Sequence, residues 1–541
     1  MRRWNGWGDD TVQYPLGARA LAFLREAVGE ATAPRDVSAA DVLATIPPTR
    51  LSGLPGQELI SIEEWPRLLH ARGQSLADWV ALRSGCIPAF PDGVAFPLTK
   101  SDVAYLLEYA EEIDARVIPY GGGTSVVGHI TPEPGDRPVL TINMRRMNQL
   151  AQLDSISLLA TFGAGVAGPE LEAHLRARGF TLGHFPQSFE FSTLGGWVAT
   201  RSSGQQSLGY GRIESLFAGG TLLAPAGEMR LPPFPASAAG PDLRQLVLGS
   251  EGRLGILTDA TVRITPLPEH EEFQAIFFPD FVDATTAVRR IVQARLPLSL
   301  LRLSTPMETR TTLALAGHER LIGLLETMLG VRGVGDDKCM LLCGFTGPSA
   351  AVRDARHATI DTAREHGGVN AGRRFGEQWM EGRFRTPYLR NTLWDLGYAV
   401  DTLETATTWD RVPRMVDQIE AALYSAVPNG ERIHVFTHLS HVYPQGASIY
   451  TTYLFRISTD PDGTLRRWEA LKGAASRTIV REGGTISHQH GVGRDHAPYL
   501  EAEKGALGMA ALAGVTTIFD PDGRMNPDVL LNDHWSVGGN R

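Results

Sequence analysis

The chain has 541 residues, enough for two or three domains that each bury a hydrophobic core. Its 51 basic and 60 acidic residues give a net charge of -9. This balance excludes a global basic field that could hold nucleic acid or anionic lipid, so an anionic ligand must meet local positive groups.

The composition also predicts a compartment and a source. Cys86, Cys339 and Cys343 form no disulfide framework and no CxxC pair, which indicates reduced cytoplasmic thiols. The apolar stretch 506–519 is too short for an integral membrane segment, the N-terminus lacks the apolar core of a signal peptide, and the ending G-G-N-R is no peroxisomal address. Few of the basic residues are lysines, a bias typical of a GC-rich genome, so we expect a cytoplasmic bacterial protein.

The first part of the chain predicts a helical extension. Residues 1–94 contain helical patterns, such as Ala20 to Val28, that are separated by Pro-rich joints. We expect this segment to be an appendage rather than an independent enzyme.

An α+β domain is predicted over residues 95–268. Thr99 and Asp102 cap a predicted helix from Val103 to Asp114, and R-V-I-P-Y then indicates a buried strand. Further strand patterns are P-V-L-T-I-N, S-L-L-A-T-F and G-I-L-T-D-A-T-V-R-I, with a helix near residues 169–178 between them.

A second domain is predicted over residues 269–500. Helical patterns at 411–426 and 465–481 alternate there with the strands I-H-V-F-T-H and A-S-I-Y-T-T-Y-L-F. Residues 501–541 are predicted to return to the first domain.

A glycine-rich loop follows the first predicted strand. Glycines at 121–123, ahead of Thr124 and Ser125, let successive backbone N–H groups converge on an anion such as a nucleotide pyrophosphate. The loop fits neither the Rossmann nor the Walker pattern. G-A-G-V-A-G at 163–168 has the Rossmann spacing, but no clear βαβ unit with an acidic residue surrounds it.

Four more clusters of small residues lie downstream, at 183–204, 209–211, 248–258 and 519–527. Each offers backbone amides, hydroxyls and little bulk, which a long extended cofactor needs. Taken singly, each cluster is better explained as a tight turn in a sheet-rich domain.

Together these motifs resemble the flavoprotein family of vanillyl-alcohol oxidase and p-cresol methylhydroxylase. That family carries P-x-G-G-G-T-S, S-T-x-G-G, G-S-E-G-x-L-G and a closing D-P-x-x-x-x-N segment in this order, as this chain does. The chain is more similar still to the alkyldihydroxyacetonephosphate synthase branch, through W-N-G-W-G at 4–8, G-H-x-P-x-S-x-E-F-S-T-x-G-G-W-V at 183–198, W-D-R-V at 409–412 and G-V-G at 491–493.

The resemblance implies an α+β fold in which a two-subdomain FAD-binding domain of the vanillyl-alcohol oxidase type carries an α+β substrate (cap) domain and the helical extension. The FAD-binding residues that it implies are Pro119, Gly121, Gly122, Gly123, Thr124, Ser125, Ser192, Thr193, Gly195, Gly196, Ser203, Tyr210, Glu251, Gly252, Gly255, Ile256 and Asn526. Some relatives tether the flavin through a histidine where Thr124 stands here, and His129 is expected to be a loop residue. We therefore predict noncovalent FAD.

The resemblance also implies catalytic residues. Arg390 matches an arginine that binds substrate phosphate, Tyr450 a tyrosine in proton transfer, and His184 an active-site histidine near the flavin. A guanidinium suits phosphate or carboxylate because of its fixed donor fork. Without the resemblance, a surface salt bridge for Arg390 and a core position for Tyr450 would be the better interpretations.

The segment T-I-S-H-Q-H-G-V-G departs from the pattern of the synthase branch. That branch has three consecutive histidines before G-V-G, and related hydroxy-acid dehydrogenases have Glu-His. His490 is kept and predicted to handle protons, and His488 is predicted to support it from behind. Gln489 replaces the middle histidine with a side chain that cannot titrate near neutral pH.

The pattern H-x-x-H at His438 and His441 raises the possibility of a metal site. Some related dehydrogenases hold a divalent ion in the equivalent strand, with ligands where Tyr450 and Gln489 stand here. Those two side chains leave too few ligands, so no metal is predicted. The two histidines are expected either to line the substrate pocket or to be packed polar residues.

The leading functional hypothesis is an FAD-dependent oxidoreductase that acts through flavin N5 on an anionic small molecule, a hydroxy acid or a phosphate-bearing substrate. The alternative is a synthase-like transferase that replaces the acyl group of acyl-dihydroxyacetone phosphate by an alkyl group without net redox change. Gln489 tilts the prediction toward redox chemistry. A noncatalytic flavoprotein scaffold is a third hypothesis, and a homodimer is implied by the family.

Overall fold

The computed structural model describes residues 2–54, 59–316, 319–428 and 430–531. The G-G-N-R ending considered above lies outside the described residues. Within them no helix combines the length and the hydropathy that crossing a bilayer requires.

The N-terminal segment is built into the rest of the protein. It contains helices α1 (Ala18–Val28), α2 (Ala39–Leu43), α3 (Glu64–Leu69) and α4 (Leu76–Ser84), and the short strand β1 (Ile60–Ser61). Trp7 and Trp79 belong to the largest hydrophobic cluster, which lies mainly in the second half of the chain. This segment therefore shares a core with the cap domain, whereas the sequence suggested an appendage.

The first sheet has four strands in the order β1, β2 (Gly93–Ala95), β4 (Val139–Asn143), β3 (Arg116–Tyr120). β2 and β3 both run parallel to β4, and β1 is antiparallel to β2. The helix α5 (Lys100–Glu112) precedes β3 and begins, as predicted, at the N-cap Thr99, whose side chain pairs with Asp102 in a capping box.

The second sheet has five antiparallel strands in the order β5 (Leu150–Asp154), β6 (Leu159–Gly163), β10 (Ile256–Arg263), β8 (Phe217–Ala224), β9 (Gly227–Leu231). G-A-G-V-A-G joins β6, which lies between β5 and β10 in this antiparallel sheet, to α6 (Gly168–Arg176). A Cβ at Gly165 would lie 1.7 Å from the Met144 carbonyl oxygen, so that glycine serves close backbone packing rather than a Rossmann turn.

Smaller elements complete this half. They are β7 (Phe180–Thr181), which pairs with β11 (Thr265–Pro266), the helices α7 (Leu194–Thr200), α8 (Ser207–Tyr210), α9 (Ile213–Leu216) and α10 (Arg244–Val247), and a 3₁₀ turn at Met144–Arg146.

The cap domain is a seven-stranded antiparallel sheet. Its order is β15 (Val369–Gly372), β12 (His270–Phe278), β14 (Cys339–Gly347), β13 (Leu298–Ser304), β17 (His434–Tyr443), β18 (Gly446–Arg456), β16 (Tyr398–Thr408). Its helices are α11 (Phe281–Gln293), α12 (Pro306–Leu315), α13 (Glu319–Val331), α14 (Ser349–Glu365), α15 (Arg374–Gly382), α16 (Thr386–Asp395), α17 (Val412–Ser425) and α18 (Pro461–Arg481). The last two confirm the predicted helices at 411–426 and 465–481.

The C-terminal segment returns to the first sheet. After the 3₁₀ turn Ala497–Tyr499 and α19 (Leu500–Phe519), residues 524–526 run beside β3, where Val117 N donates to the Arg524 carbonyl and Asn526 N donates to the Val117 carbonyl. The end of the described chain is thereby fixed at the edge of the glycine-rich loop.

As the pH is lowered, the free energy of unfolding is predicted to decrease at a higher pH than the titration of carboxylates alone would cause. Burial lowers the pKa of five histidines to about 3 or 4; these are His70, His184, His434, His441 and His496. In the unfolded chain the histidine pKa values are about 6.5. The unfolded chain therefore binds more protons than the native chain between about pH 4 and 6.5. Asp495 opposes this by one proton, because burial raises its native pKa to about 7.

Between pH 6.5 and 5.5 each of the five histidines costs about 1 kcal/mol, so the net loss after subtracting the Asp495 effect is about 4 kcal/mol. Thermal unfolding across this range should show a falling midpoint. In the variant His496→Gln, which cannot titrate there, the decline should be shallower by about a quarter. A midpoint that stays level from pH 7.5 to 5.5 would contradict the assignment of these histidines as buried and neutral.

Candidate active site

One continuous cavity, with a volume of about 820 Å³, is enclosed by residues of all three sheets. Its lining combines the glycine-rich loop after β3, the start of α7, the start of β10 and one face of the cap sheet. The predicted cofactor residues and most of the predicted catalytic residues therefore surround the same space.

The glycine-rich loop presents backbone donors to this cavity. Among the described residues, no hydrogen bond is donated by the N–H groups of residues 121–126. The chain around the loop leaves no room for side chains, because a Cβ at Gly122 would lie 2.0 Å from the Phe191 carbonyl oxygen. Gly123 has φ +70°, which a glycine adopts without strain. Unpaired N–H groups in a loop without side chains form a suitable cradle for a diphosphate.

The adjoining wall comes from residues 192–196, at the start of α7, where Thr193 is the N-cap. The Thr193 side chain accepts a hydrogen bond from Gly196 N, and Gly195 N donates to the Ala164 carbonyl. The Ser192 hydroxyl accepts from Trp197 Nε1 at 2.7 Å. The serine and threonine side chains are thus held in place by local bonds while the glycines keep the wall thin.

Glu251 joins this cofactor wall to the G-V-G turn that follows His490. Its carboxylate accepts hydrogen bonds from Val492 N at 2.6 Å and Gly493 N at 2.7 Å, and it lies 3.0 Å from His129 Nε2. Its own carbonyl accepts from Asn526 Nδ2 at 2.6 Å. Glu251 lines the cavity, but its side chain is engaged in positioning the chain next to His490.

Arg390 is the cation at the other end of the site. It lies on α16, stacks over the Trp79 ring at 4.4 Å and donates from Nη1 to the Gln74 carbonyl at 2.7 Å. No further bond of its guanidinium is present in the described part of the chain. Burial lowers the pKa of Arg390, and the nearby Asp401 opposes this, so the group is a charged fork with donors left over for a ligand.

Tyr450 stands between two imidazoles on the cap sheet. It lies on β18, directly opposite His438 on β17, and the two rings stack at 4.9 Å. His490 approaches edge-on, with ring centroids 5.7 Å apart. The Tyr450 hydroxyl donates to Thr402 Oγ1 at 3.2 Å.

The protonation states of this pair follow from burial. Burial raises the pKa of the Tyr450 phenol and lowers the pKa of the His490 imidazole. At neutral pH Tyr450 is therefore a proton-bearing phenol and His490 a neutral ring that can accept a proton.

His488 lies behind the cavity wall, in a row of buried polar side chains. Its Nδ1 lies 3.1 Å from Glu404 Oε1, and its Nε2 lies 2.6 Å from the Tyr443 hydroxyl. Although burial opposes ionisation, His488 and its neighbouring histidines hold the pKa of Glu404 well below its usual range. Gln489, next in sequence, lines the cavity with a buried Oε1 that has no partner.

Three predicted site residues do not line the cavity: His184, His488 and Tyr210. His184 packs against the Trp197 ring at 4.8 Å and lies 3.3 Å from Ser202 Oγ, so it contacts the wall from outside. Tyr210 covers Gly183, whose Cβ would lie 2.2 Å from that ring. The remaining predicted residues line the cavity.

Several charged residues near the site escaped the sequence analysis. Arg302 and Glu308 form an ion pair whose carboxylate also lies 2.9 Å from His438 Nδ1. Arg383 lies between the Phe185 and Phe384 rings. Glu404, on β16, lies directly opposite Tyr450 on β18. A single charged residue in an arginine-rich chain does not indicate a functional site. The two acidic residues inside the strand pattern Y-A-V-D-T-L-E-T are the one signal that could have identified Glu404, because acidic residues are rarely buried in a strand.

An apolar section completes the cavity. It is formed by side chains of α1, α12, β14 and neighbouring elements, namely Leu16, Ala20, Phe23, Leu24, Leu313, Met340, Leu342, Phe436 and Leu454. The same cavity thus offers backbone donors, a free cation and an extended apolar lining.

Comparisons with known proteins agree with this geometry. Residues 91–231 match a family model described as an FAD binding domain, and residues 267–530 match one described as FAD linked oxidases, C-terminal domain. An alkyldihydroxyacetonephosphate synthase of Dictyostelium discoideum is 31% identical over 88% of this chain and 79% of its own. The synthase of Trypanosoma brucei brucei is 28% identical over 98% of this chain and 92% of its own.

Solved structures give the same result for the fold. An alkyldihydroxyacetonephosphate synthase superposes with a TM-score of 0.82 at 26% identity, covering 97% of this chain and 98% of that one. p-Cresol methylhydroxylase superposes at 0.68 with 13% identity, over 93% and 99% of the two chains. The predicted fold, FAD cofactor and enzymatic nature are therefore confirmed, and the chain belongs to the family of FAD-linked oxidases that includes the alkyldihydroxyacetonephosphate synthases.

Proposed function

We propose that this enzyme forms an ether-linked product from a phosphate-bearing substrate with a long apolar chain, as an alkyldihydroxyacetonephosphate synthase does. The observation that carries the proposal is the single cavity in which a free guanidinium and an apolar section share one space. A small hydroxy acid would bind to the cation but would not fill the apolar section of the cavity. This reverses the order of the two hypotheses that the sequence alone favoured.

Arg390 would bind the phosphate. Its stack on Trp79 and its bond to Gln74 fix the plane of the guanidinium, which reduces the entropy lost when a ligand binds. Asp401, which lines the same cavity, is neutralised by Lys472 at 3.1 Å and therefore competes little with the ligand for Arg390.

The apolar section would hold the chain of the acyl or alkyl group. Each buried methylene contributes about 0.8 kcal/mol, so a long chain supplies much of the binding free energy. The mixed lining thereby selects an amphiphile over a small acid.

Tyr450 and His490 would handle protons at the reacting carbon. The phenol can donate while the neutral imidazole accepts, and the two rings are in contact. FAD, held by the glycine-rich loop and the 192–196 wall, supplies the electrophilic ring that such chemistry requires. In the proposed exchange, acyl-dihydroxyacetone phosphate and a fatty alcohol give the alkyl product and a fatty acid, so no electrons are gained or lost overall.

A second candidate is an oxidoreductase acting on an anionic molecule. The observation that favours it is Gln489, which puts a neutral amide in the cavity where the synthase branch has a histidine. Membership of the FAD-linked oxidases is compatible with both reactions. Noncovalent attachment of FAD, a homodimer and a cytoplasmic location remain predictions.

The two reactions differ in what happens to the flavin. Anaerobic incubation with acyl-dihydroxyacetone phosphate and a fatty alcohol should yield alkyl product and free fatty acid in equal amounts, with the flavin colour retained. Yield should rise with the chain length of the alcohol because of the apolar section. Stoichiometric bleaching by hydroxy acids, together with no ether product, would instead establish the oxidoreductase.

Replacing Arg390 by Lys should raise KM for the phosphate substrate by roughly 10- to 100-fold with a small change in kcat, since a charge-assisted fork contributes about 1.5–3 kcal/mol to binding. Steady-state kinetics measure this. The matched control is Arg385→Lys, because Arg385 also lines the cavity but is exposed and lies over Tyr14. A fall in kcat at constant KM would argue against phosphate binding by Arg390.

The variant Gly122→Ala should lose most of its FAD, because the new Cβ forces the loop away from Phe191. The flavin-to-protein absorbance ratio after gel filtration measures this. Gly514→Ala is the control, since it places a methyl group in open space on α19 and should keep full flavin content. Acid precipitation of the wild-type protein should leave the colour in solution if FAD is noncovalent.

A further inference from the structure

A cluster of three buried ligand-type side chains lies beneath the floor of the cavity. Glu404 on β16, His441 on β17 and His488 before the G-V-G turn bring one ligand atom each to within 4.8 Å of one another. None of the motifs found in the sequence combines these three residues. We propose that they form a site for one divalent metal ion of the zinc type.

The fold creates this set by a bulge in β17. Residues three apart in a regular strand point to opposite faces, so His438 and His441 would normally separate. The register between β17 and β18 shifts between Leu439 and Val442, and both histidines consequently line the cavity. His438 contacts Glu308 and stacks on Tyr450, whereas His441 is available to the cluster.

Each histidine is anchored through the nitrogen that would not bind the ion. His441 Nδ1 lies 3.1 Å from the Ser207 hydroxyl and 3.4 Å from the Ser203 hydroxyl, and its Nε2 has no partner among the described residues. His488 Nε2 lies 2.6 Å from the Tyr443 hydroxyl, with Nδ1 directed at Glu404. Hydrogen bonds of this kind fix the orientation of metal-binding imidazoles in proteins.

Glu404 supplies an independent indication of a missing partner. Its side chain is fully buried, and Oε1 accepts a hydrogen bond from Ser440 at 2.6 Å. Oε2 is buried and has no hydrogen-bond partner within the part of the chain that the structure describes. A buried carboxylate oxygen left unpaired is costly, and coordination of a cation would remove that cost.

Two imidazoles and one carboxylate match the ligand set of zinc sites that keep an open fourth position. The rings of His441 and His488 lie 5.1 Å apart at 28°, so one ring must rotate for both nitrogens to converge. Ligand atoms must also close to about 3.4 Å, the separation that bonds of ~2.1 Å require. The open position would face the cavity, where Gln489 Oε1 has no partner and could accept a hydrogen bond from bound water.

Metal content of the FAD-loaded, full-length protein tests the proposal without substrate, so the outcome does not depend on the reaction. After removal of metal by a chelator, the protein should rebind zinc with a stoichiometry near one per chain and gain thermal stability. Elemental analysis and competition with a chromophoric chelator measure both the stoichiometry and the affinity.

His441→Gln and Glu404→Gln should each weaken zinc binding by more than roughly ten-fold, and Tyr443→Phe, which frees His488, by roughly 10-fold. His434→Gln is the matched control, because His434 lies on the same strand and pairs with Thr311 instead. Flavin content reports folding for every variant, and if Glu404→Gln does not fold, His441→Gln decides. Failure of the wild-type protein to rebind zinc, or unchanged affinity in His441→Gln, would overturn the site.

Discussion

The carboxylate of Glu251 is the contact on which the arrangement of the site depends. It accepts hydrogen bonds from two backbone N–H groups of the G-V-G turn and lies 3.0 Å from His129 Nε2, while the same residue's carbonyl accepts a hydrogen bond from Asn526 Nδ2. A buried carboxylate with several donors is stable only if all of them stay in place. One residue of the cofactor wall thereby fixes where the chain after His490 runs and where the C-terminal segment ends.

The cap sheet determines how the reactive side chains meet. Strand β18, the neighbour of the edge strand β16, carries Tyr450, with His438 opposite it on β17 and Glu404 opposite it on β16. Because side chains directly opposite each other in a sheet are in contact, three residues more than ten positions apart form one row. The bulge in β17 adds His441 to the same face and supplies the geometry of the proposed ion site.

Local charge explains how an acidic protein can bind an anion. The net charge is -9, yet the cavity is lined by Arg302, Arg383, Arg385 and Arg390. Arg302 pairs with Glu308, Arg383 lies between two aromatic rings, and Arg385 is exposed and lies over Tyr14. Arg390 is therefore the one best placed to bind a ligand. Selectivity for a chain-bearing anion then follows from the apolar lining of the same space.

The sequence by itself determined the fold, the FAD cofactor and the helices and strands whose patterns are strong, such as α5 with its cap at Thr99. The fold and the cofactor follow from the family resemblance that the short motifs carry, and the helices and strands follow from local periodicity, which acts between residues close in the chain. Only the tertiary structure decided that His184 and Tyr210 do not line the cavity, that Trp7 and Trp79 share the cap core, and that Glu404 stands beside Tyr450. These outcomes depend on strand register, on one bulge and on contacts between distant segments, and no local pattern of residues encodes them.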